Sequence, residues 1–138
     1  MLTPLERTSE NARSAVLQIV DALGANPIWL DADDHDRILA ATSHLPYLLS
    51  SALVLSTPDD CAPLVGPGFR STSRLAGTPS SMMLGVLQSN ADNVLASISS
   101  FRQSLDLIES ALHAGDNNAL ETALNDSRKQ YLSLIPAS

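Results

Sequence analysis

Apolar positions recur every three or four residues through most of the chain, which is the spacing of amphipathic helices. A capping-box pattern with proline in the first helical position predicts that the first helix starts at Thr3. Gly24 supplies a natural stop for this helix. Its apolar positions are Val16, Ile19, Val20 and Leu23. An extended connector at 26–30 follows and holds the single tryptophan, Trp29.

A second helix is predicted from Ala32 to Leu55, because three aspartates crowd its start, where acids favour the helix dipole. Pro46 lies inside this helix and is expected to kink it, since proline removes a backbone donor and crowds the preceding turn. The segment 56–68 is rich in proline and glycine and is predicted to be a loop. A short helix is expected from Phe69 to Ala76.

The longest predicted helix follows Thr78-Pro79 and ends at Gly115. Its apolar residues alternate steps of four and three, which is a heptad seam that calls for a long partner helix. They are Leu87, Ala91, Val94, Ile98, Phe101, Leu105, Ile108 and Leu112. Asp116 then caps a last helix through about Ile135. Its inward face is predicted to hold Leu120, Leu124, Tyr131 and Leu134.

These patterns predict an all-α fold with about five helices, formed as one helical domain over residues 1–138. Hydrophobic residues make up 44% of the chain but aromatics only 4%, which suits a core of packed helices better than a sheet. The net charge of −7 disfavours nucleic acid and anionic membranes as partners.

Two features indicate a cytoplasmic protein. Cys61 is the only cysteine, so no intrachain disulfide can form, and the N-terminus lacks the basic-then-apolar pattern of a signal peptide. The most apolar stretch, Leu48–Leu55, is far too short to span a bilayer. No membrane partner is therefore expected.

Cofactor and metal sites are not predicted. Gly66-Pro67-Gly68 lacks the third glycine of a dinucleotide cradle and no strand precedes it, so the chain alone is not expected to bind NAD or NADP. His35 and His44 are nine residues apart, which places them on opposite sides of a straight helix and argues against a shared metal.

Two groups of residues could bind a substrate. Asp36, Ser43 and Tyr47 share one helical face, with His44 at its edge. A polar seam against a neighbouring helix would explain the same pattern. Arg70 and Arg74 are four apart, and an arginine fork on a short helix suits a carboxylate.

Gly68, just before these arginines, would let the backbone approach a ligand closely. An exposed arginine pair that contacts nearby acids is the alternative interpretation of the same residues.

Three motifs in order along the chain resemble the C-terminal domain of prephenate and arogenate dehydrogenases. That family carries His-Asp-Arg and Ser-His-Leu-Pro-His, matched at 35–37 and 43–46. Its Gly-Gly-Gly-Phe-(basic)-Asp-x-Thr-Arg-(Ile/Leu)-Ala pattern is matched at Gly66, Gly68, Phe69, Arg70, Arg74 and Ala76. Its Met-Trp-x-Asp-Ile-x-x-x-Asn pattern is matched at Met82 and Asn90, with Val86 for isoleucine. Leu2-Thr3-Pro4 resembles the start of the family's second domain.

The resemblance implies a helical dimerisation domain that forms half of a substrate pocket. Arg74 would hold a substrate carboxylate, and Ser43 and His44 would border the cleft that faces the nicotinamide. The family's hydride-transfer histidine belongs to the other domain and has no counterpart here. The implied partners are a second copy, a Rossmann-type nucleotide-binding domain in cis or trans, and a small carboxylate substrate. The implied cofactor of the complete enzyme is NAD or NADP.

Departures from the family motifs keep alternatives open. Tyr47 replaces the second histidine, Ser71 an aspartate, Met83 a tryptophan and Gly85 another aspartate. The chain is therefore interpreted as the dimerisation and substrate-pocket half of a dehydrogenase, inactive alone, in which no residue of this chain is catalytic. One alternative is a non-catalytic helical module with a degenerate ligand site. Another is the helical domain of a different dehydrogenase family, which Arg74 within its motif disfavours.

Overall fold

The computed structural model describes residues 1–135, and helices dominate them. The α-helices are α1 (Glu10–Ala22), α2 (Ala32–Leu39), α3 (Leu45–Leu55), α4 (Pro67–Ser73), α5 (Ser80–Ser89), α6 (Ala91–Ala114) and α7 (Asn117–Leu134). A π-helical turn occupies Ala40–His44, and 3-10 turns occupy Asp59–Leu64 and Arg74–Gly77. The all-α prediction is confirmed, with more helices than the five expected.

The predicted start of the first helix at Thr3 is wrong. Helix α1 begins at Glu10, because Ser9 caps it by accepting a hydrogen bond from the Ala12 N–H. Residues 5–8 form a turn instead, closed by a bond from the Thr8 N–H to the Leu5 carbonyl. The predicted stop is confirmed, since Gly24 has a φ of +64°, which glycine adopts readily.

The second predicted helix is confirmed as an unbroken helical run, 32–55, whose geometry changes along its length. The change is a π turn immediately before Pro46, which lies in the first turn of α3, where its missing N–H costs little. A π turn holds one more residue than an α turn, so later positions rotate relative to a uniform helix. The predicted shared face of Asp36, Ser43 and Tyr47 assumed uniform α geometry, which the chain does not have.

Helix α3 packs against α4 and against the 3-10 turn that follows α4. The buried Ser50 hydroxyl ties α3 to α4 by donating to the Thr72 carbonyl at 2.7 Å. By length and composition the run Ala32–Leu55 could cross a bilayer, because an 18-residue window within it has a mean hydropathy of 1.5. The apolar part of this run is therefore longer than the stretch 48–55. Its buried polar contacts and its packing on α4 are those of a helix inside a protein fold.

The single long helix predicted after Pro79 is wrong in one respect, because it is two helices. Asn90 separates α5 from α6 with φ −118° and ψ 29°, away from helical values. Asparagine side chains bind backbone groups and so compete with helix continuation. The heptad seam therefore spans a break, and its α6 part is incompletely covered: Val94 is buried, but Leu112 is 62% exposed.

Helix α7 begins as predicted, since the Asp116 carboxylate accepts a bond from the Ala119 N–H. Its apolar face is only partly covered by this chain. Leu124, Tyr131 and Leu134, expected to face inward, are 55–70% exposed, whereas Leu120 is half-buried. The expectation of an inward face is thus wrong for these three residues.

Two compact units make up the chain, Met1–Ser97 and Ile98–Ser138. The accessible surface is 10,696 Å². Even two separate compact bodies of these lengths would together expose only about 8,200 Å² by the usual scaling of area with mass. The chain therefore leaves far more surface open than its size requires.

The cap of α2 yields a stability prediction. The Asp31 carboxylate accepts a hydrogen bond from the Asp34 N–H at 2.7 Å. Loss of this bond in Asp31→Ala is expected to lower the free energy of unfolding by about 1 kcal/mol. Asp33→Ala removes an acid from the same turn without removing the cap and should cost less than half as much. Urea unfolding followed by circular dichroism measures both, and equal losses would contradict the capping role.

Candidate functional site

His44 lies in a buried polar cluster that we call the Asn90 junction, made of His44, Asn90, Asn93 and the Asp36 carbonyl. His44 and Asn90 are 5% and 7% exposed. The Asn90 side-chain amide donates to the Asp36 carbonyl at 2.7 Å and lies 3.4 Å from the His44 Nδ1. Its oxygen accepts a bond from the Asn93 amide at 2.9 Å. One asparagine thus fastens the start of α6 to the helical run that carries the histidine motif.

An open polar cleft of about 290 Å³ lies beside the junction. It is lined by Asp36, Gln88, Ser89, Asn90, Ala91, Asp92 and Asn93. Amide and carboxylate groups dominate this lining, so the cleft offers hydrogen bonds and negative charge. Neither Arg70 nor Arg74 lines it.

The predicted substrate residues of the helical run differ in exposure. His44 is buried, Tyr47 is half-buried and Ser43 is exposed. The Tyr47 carbonyl accepts a bond from the Ser51 hydroxyl at 3.0 Å within α3. The structure thus turns His44 toward Asn90 while Ser43 stays at the surface, and their roles toward a substrate stay predictions.

The predicted arginine pair lies on a different structural element. Arg70 is on α4 and Arg74 opens the next 3-10 turn, and both are exposed. Within residues 1–135 neither forms an ion pair, so the alternative of arginines held by nearby acids gains no support. Because α3 packs on this segment, the histidine and arginine motifs belong to one packed group of helices.

Gly68 lies in the first turn of α4, before both arginines. A Cβ there would meet no atom within 4 Å, so nothing in this chain requires glycine at this position. The predicted role of Gly68 toward a ligand stays a prediction.

Charged contacts around α2 are local. Arg37 donates to the Asp34 carboxylate at 2.6 Å, and this hydrogen bond and charge hold the pKa of Asp34 below its usual range. His35 Nδ1 is 2.9 Å from the Asp36 carboxylate. His35 therefore pairs with its neighbour rather than with His44.

Neither a metal nor a dinucleotide fits the side chains that residues 1–135 bring together. No group of three or more histidine, cysteine, aspartate or glutamate side chains able to hold a metal occurs there. No glycine-rich turn between a strand and a helix occurs there either, so no cradle for pyrophosphate is formed.

Sequence reasoning missed the structural roles of Asn90 and Ser50. Asn90 matches the last position of the third family motif, but the heptad pattern on both sides of it predicted a continuous helix. Ser50 lies in an apolar run, where one small polar residue gives no periodic signal. Each makes its contact with a residue more than twenty positions away, which local patterns do not report.

The sequence profile of the prephenate dehydrogenase dimerization domain matches residues 31–126. The chain belongs to this family, which excludes the helical domain of another dehydrogenase family.

Two proteins similar to this chain in sequence are prephenate dehydrogenases. The chain is 34% identical over 118 residues to prephenate dehydrogenase of Lactococcus lactis, covering 81% of this chain and 33% of that protein. It is 25% identical over 122 residues to prephenate dehydrogenase of Bacillus subtilis, covering 84% and 33%.

Solved structures show the same fold. Synechocystis arogenate dehydrogenase superposes with a TM-score of 0.82 at 25% identity, covering 96% of this chain and 51% of that one. Prephenate dehydrogenase from A. aeolicus, solved with hydroxyphenyl propionate and NAD+, gives a TM-score of 0.85 at 24% identity, covering 96% and 49%. The chain thus spans a third to a half of the length of these relatives.

The Asn90 junction yields a second stability prediction. Asn90→Ala removes a donor from a buried carbonyl and a polar neighbour from buried His44. We expect a loss of about 1–3 kcal/mol in the free energy of unfolding. Ser89→Ala is the matched control, because the exposed Ser89 hydroxyl bonds only its own helix at the Val86 carbonyl. Denaturant titration measures both, and equal stability of the two variants would refute the junction.

Proposed function

We propose that this chain is the dimerisation and substrate-pocket half of an NAD(P)-dependent dehydrogenase that acts on prephenate or arogenate in tyrosine biosynthesis in the cytoplasm. The observation that carries the proposal is the open apolar surface of a chain that belongs to the dimerization-domain family. Unpaired apolar surface on this scale is covered by a partner in stable proteins.

A second copy of the chain is the partner we propose. Helices α6 and α7 present long apolar faces, and homo-oligomers with two-fold symmetry are the commonest way to cover such faces. The exposed residues concerned are Leu105 and Leu112 on α6, and Leu124, Tyr131 and Leu134 on α7.

The substrate role rests on the arginine motif. A dicarboxylate such as prephenate needs a cation to hold it, and Arg74 and Arg70 are the exposed arginines next to the packed helices. Arg74 offers a two-pronged contact to a carboxylate, which fixes orientation as well as charge. Tyr47 and Ser43 would lie at the rim of the same pocket, and buried His44 would support the helix behind them.

The reaction proposed for the complete enzyme removes hydride from the ring carbon that bears the hydroxyl and releases CO2, which makes the ring aromatic. NAD or NADP would accept the hydride in the other half of the enzyme. This chain's residues would orient the substrate and balance its charge. The chain alone is expected to be inactive.

The second candidate is a non-catalytic dimerisation module with a degenerate ligand site. The departures at Tyr47, Ser71 and Met83 favour it, because each replaces a polar or aromatic group of the family motifs. Both candidates require the dimer, and only the first requires Arg74.

Dimer formation is the first test. We expect light scattering to give twice the chain mass at micromolar concentration. Leu105→Asp with Leu112→Asp should shift the chain to monomer, because both residues lie on the exposed apolar stripe of α6. Gln103→Asp, on the opposite side of α6, is the control and should stay dimeric. A monomeric wild-type chain would overturn the dimerisation role.

Arg74 distinguishes the two candidates. In an enzyme that joins this chain to a nucleotide-binding half, Arg74→Ala should raise KM by the equivalent of about 2–5 kcal/mol, the usual loss when one partner of a desolvated charge pair is removed. Arg74→Lys should recover part of the loss, because an ammonium cannot make the two-pronged contact. Arg70→Ala should cost less.

Steady-state kinetics with prephenate and with arogenate measures these effects, and circular dichroism controls for folding. Unchanged KM and kcat in Arg74→Ala would favour the non-catalytic module.

A further inference from the structure

The buried His44 differs from the other two histidines in the chemistry of its partner. His35 Nδ1 and His113 Nε2 lie 2.9 Å and 3.5 Å from carboxylate oxygens. A carboxylate accepts hydrogen bonds, so each of these ring nitrogens can carry a proton. Within residues 1–135 no carboxylate pairs with His44, whose Nδ1 lies 3.4 Å from the side-chain nitrogen of Asn90. The partner of His44 is therefore an amide nitrogen.

Two other contacts fix the orientation of the Asn90 side-chain amide. Its nitrogen lies 2.7 Å from the Asp36 carbonyl, which can only accept a hydrogen bond. Its oxygen lies 2.9 Å from the side-chain nitrogen of Asn93, which can only donate. The opposite orientation of the Asn90 amide would place acceptor against acceptor and donor against donor. The second hydrogen on the Asn90 nitrogen therefore faces His44, and the His44 Nδ1 accepts it.

This contact decides which ring nitrogen of His44 carries the proton. Because Nδ1 accepts a hydrogen bond, the neutral imidazole of His44 carries its proton on Nε2. A histidine that removes a proton through Nε2 has the reverse arrangement, in which its Nδ1–H donates to a carboxylate or a carbonyl. His44 is thus arranged to donate a hydrogen bond from Nε2 and not to remove a proton there.

The Nε2 of His44 has no hydrogen-bond partner within residues 1–135, yet it reaches the surface. In that part of the chain the fully buried polar side-chain atom without a partner is Arg13 Nε, so the exposed 5% of His44 includes Nε2. An N–H group in this position can donate to an oxygen of a bound molecule. A donor that is already oriented before binding loses little freedom when the ligand arrives.

We propose that Asn90 is a positioning residue, which holds the proton of His44 on Nε2 so that His44 donates a hydrogen bond to an oxygen of the substrate. The donor role rests on the proposed function, in which a small carboxylate binds beside the helical run that carries His44. The effect of Asn90 on His44 does not rest on it, because both side chains belong to the unit Met1–Ser97 of this chain.

Nitrogen NMR of the His44 ring tests the position of the proton on the chain alone. At alkaline pH imidazoles are neutral, and the two ring nitrogens then give separate protonated and unprotonated signals. His35→Gln with His113→Gln leaves His44 as the single histidine, since the chain has three. We expect the protonated signal at Nε2 and the unprotonated signal at Nδ1. Signals averaged between the two forms, or a proton on Nδ1, would overturn the proposal.

Two further variants test whether Asn90 sets this form. Asn90→Asp keeps the shape of the side chain but replaces the donor with an acceptor, so the proton of His44 should move to Nδ1. Asn93→Ala is the matched control, because the Asp36 carbonyl still orients the Asn90 amide and the proton should stay on Nε2. Circular dichroism confirms folding. A proton that stays on Nε2 in folded Asn90→Asp would show that Asn90 does not place it.

Kinetics of an enzyme that joins this chain to a nucleotide-binding half tests the donor role. Glutamine can accept from Asn90 with its oxygen and still donate with its nitrogen, whereas phenylalanine keeps the ring shape without either group. His44→Phe should lower kcat/KM by roughly tenfold to hundredfold, the usual effect of losing a hydrogen bond to a charged group. His44→Gln should recover most of this loss.

The kinetic outcomes separate this proposal from the proposed function. Equal losses in His44→Phe and His44→Gln would overturn the donor role, because a residue that removes a proton cannot be replaced by glutamine. An inactive enzyme whose His44 carries its proton on Nε2 would contradict the proposed function, whereas it would support the role of Asn90 toward His44.

Discussion

The constraint on which this structure depends is that its helices carry more apolar surface than one chain can cover. Among the described residues only Ala40, Val94 and Ala111 are buried hydrophobic side chains. Helices in water are stabilised mainly by packing of their apolar faces, since propensity alone is marginal. The long helices α6 and α7 therefore keep apolar residues exposed in a chain that belongs to a dimerization-domain family.

Buried polar side chains hold helices together in the part of the chain where few apolar side chains are buried. In the unit Met1–Ser97, the buried side chains of His44, Ser50 and Asn90 outnumber the buried hydrophobic ones. Ser50 fastens α3 to α4, and Asn90 fastens the start of α6 to the helical run before it. A buried hydrogen bond is directional, so each contact fixes which segments meet as well as stabilising them. Both contacts hold the elements that carry the family motifs.

The π turn before Pro46 shows how a local sequence feature shapes the candidate site. Proline cannot donate the helical bond that a continuous α-helix needs at that position, and the wider turn absorbs the missing bond. His44 ends this turn and is buried beside Asn90, while its neighbour Ser43 is exposed. Of the two motif residues, His44 therefore takes part in a buried contact with Asn90, and Ser43 lies at the surface.

The sequence by itself determined the helical class, the second helix at 32–55, the stop at Gly24, the cap at Asp116 and the family motifs. Each of these depends on residues close together in the chain, whose propensities and hydrogen bonds are local. Tertiary structure decided the rest. The Leu2–Trp29 pairing brings the N-terminus beside the segment before α2, and the Asn90 contact with the Asp36 carbonyl, fifty-four residues away, accompanies the break in the predicted long helix. Contacts between distant segments leave no periodic pattern in the sequence. Local patterns therefore cannot predict where such a contact ends or interrupts a helix.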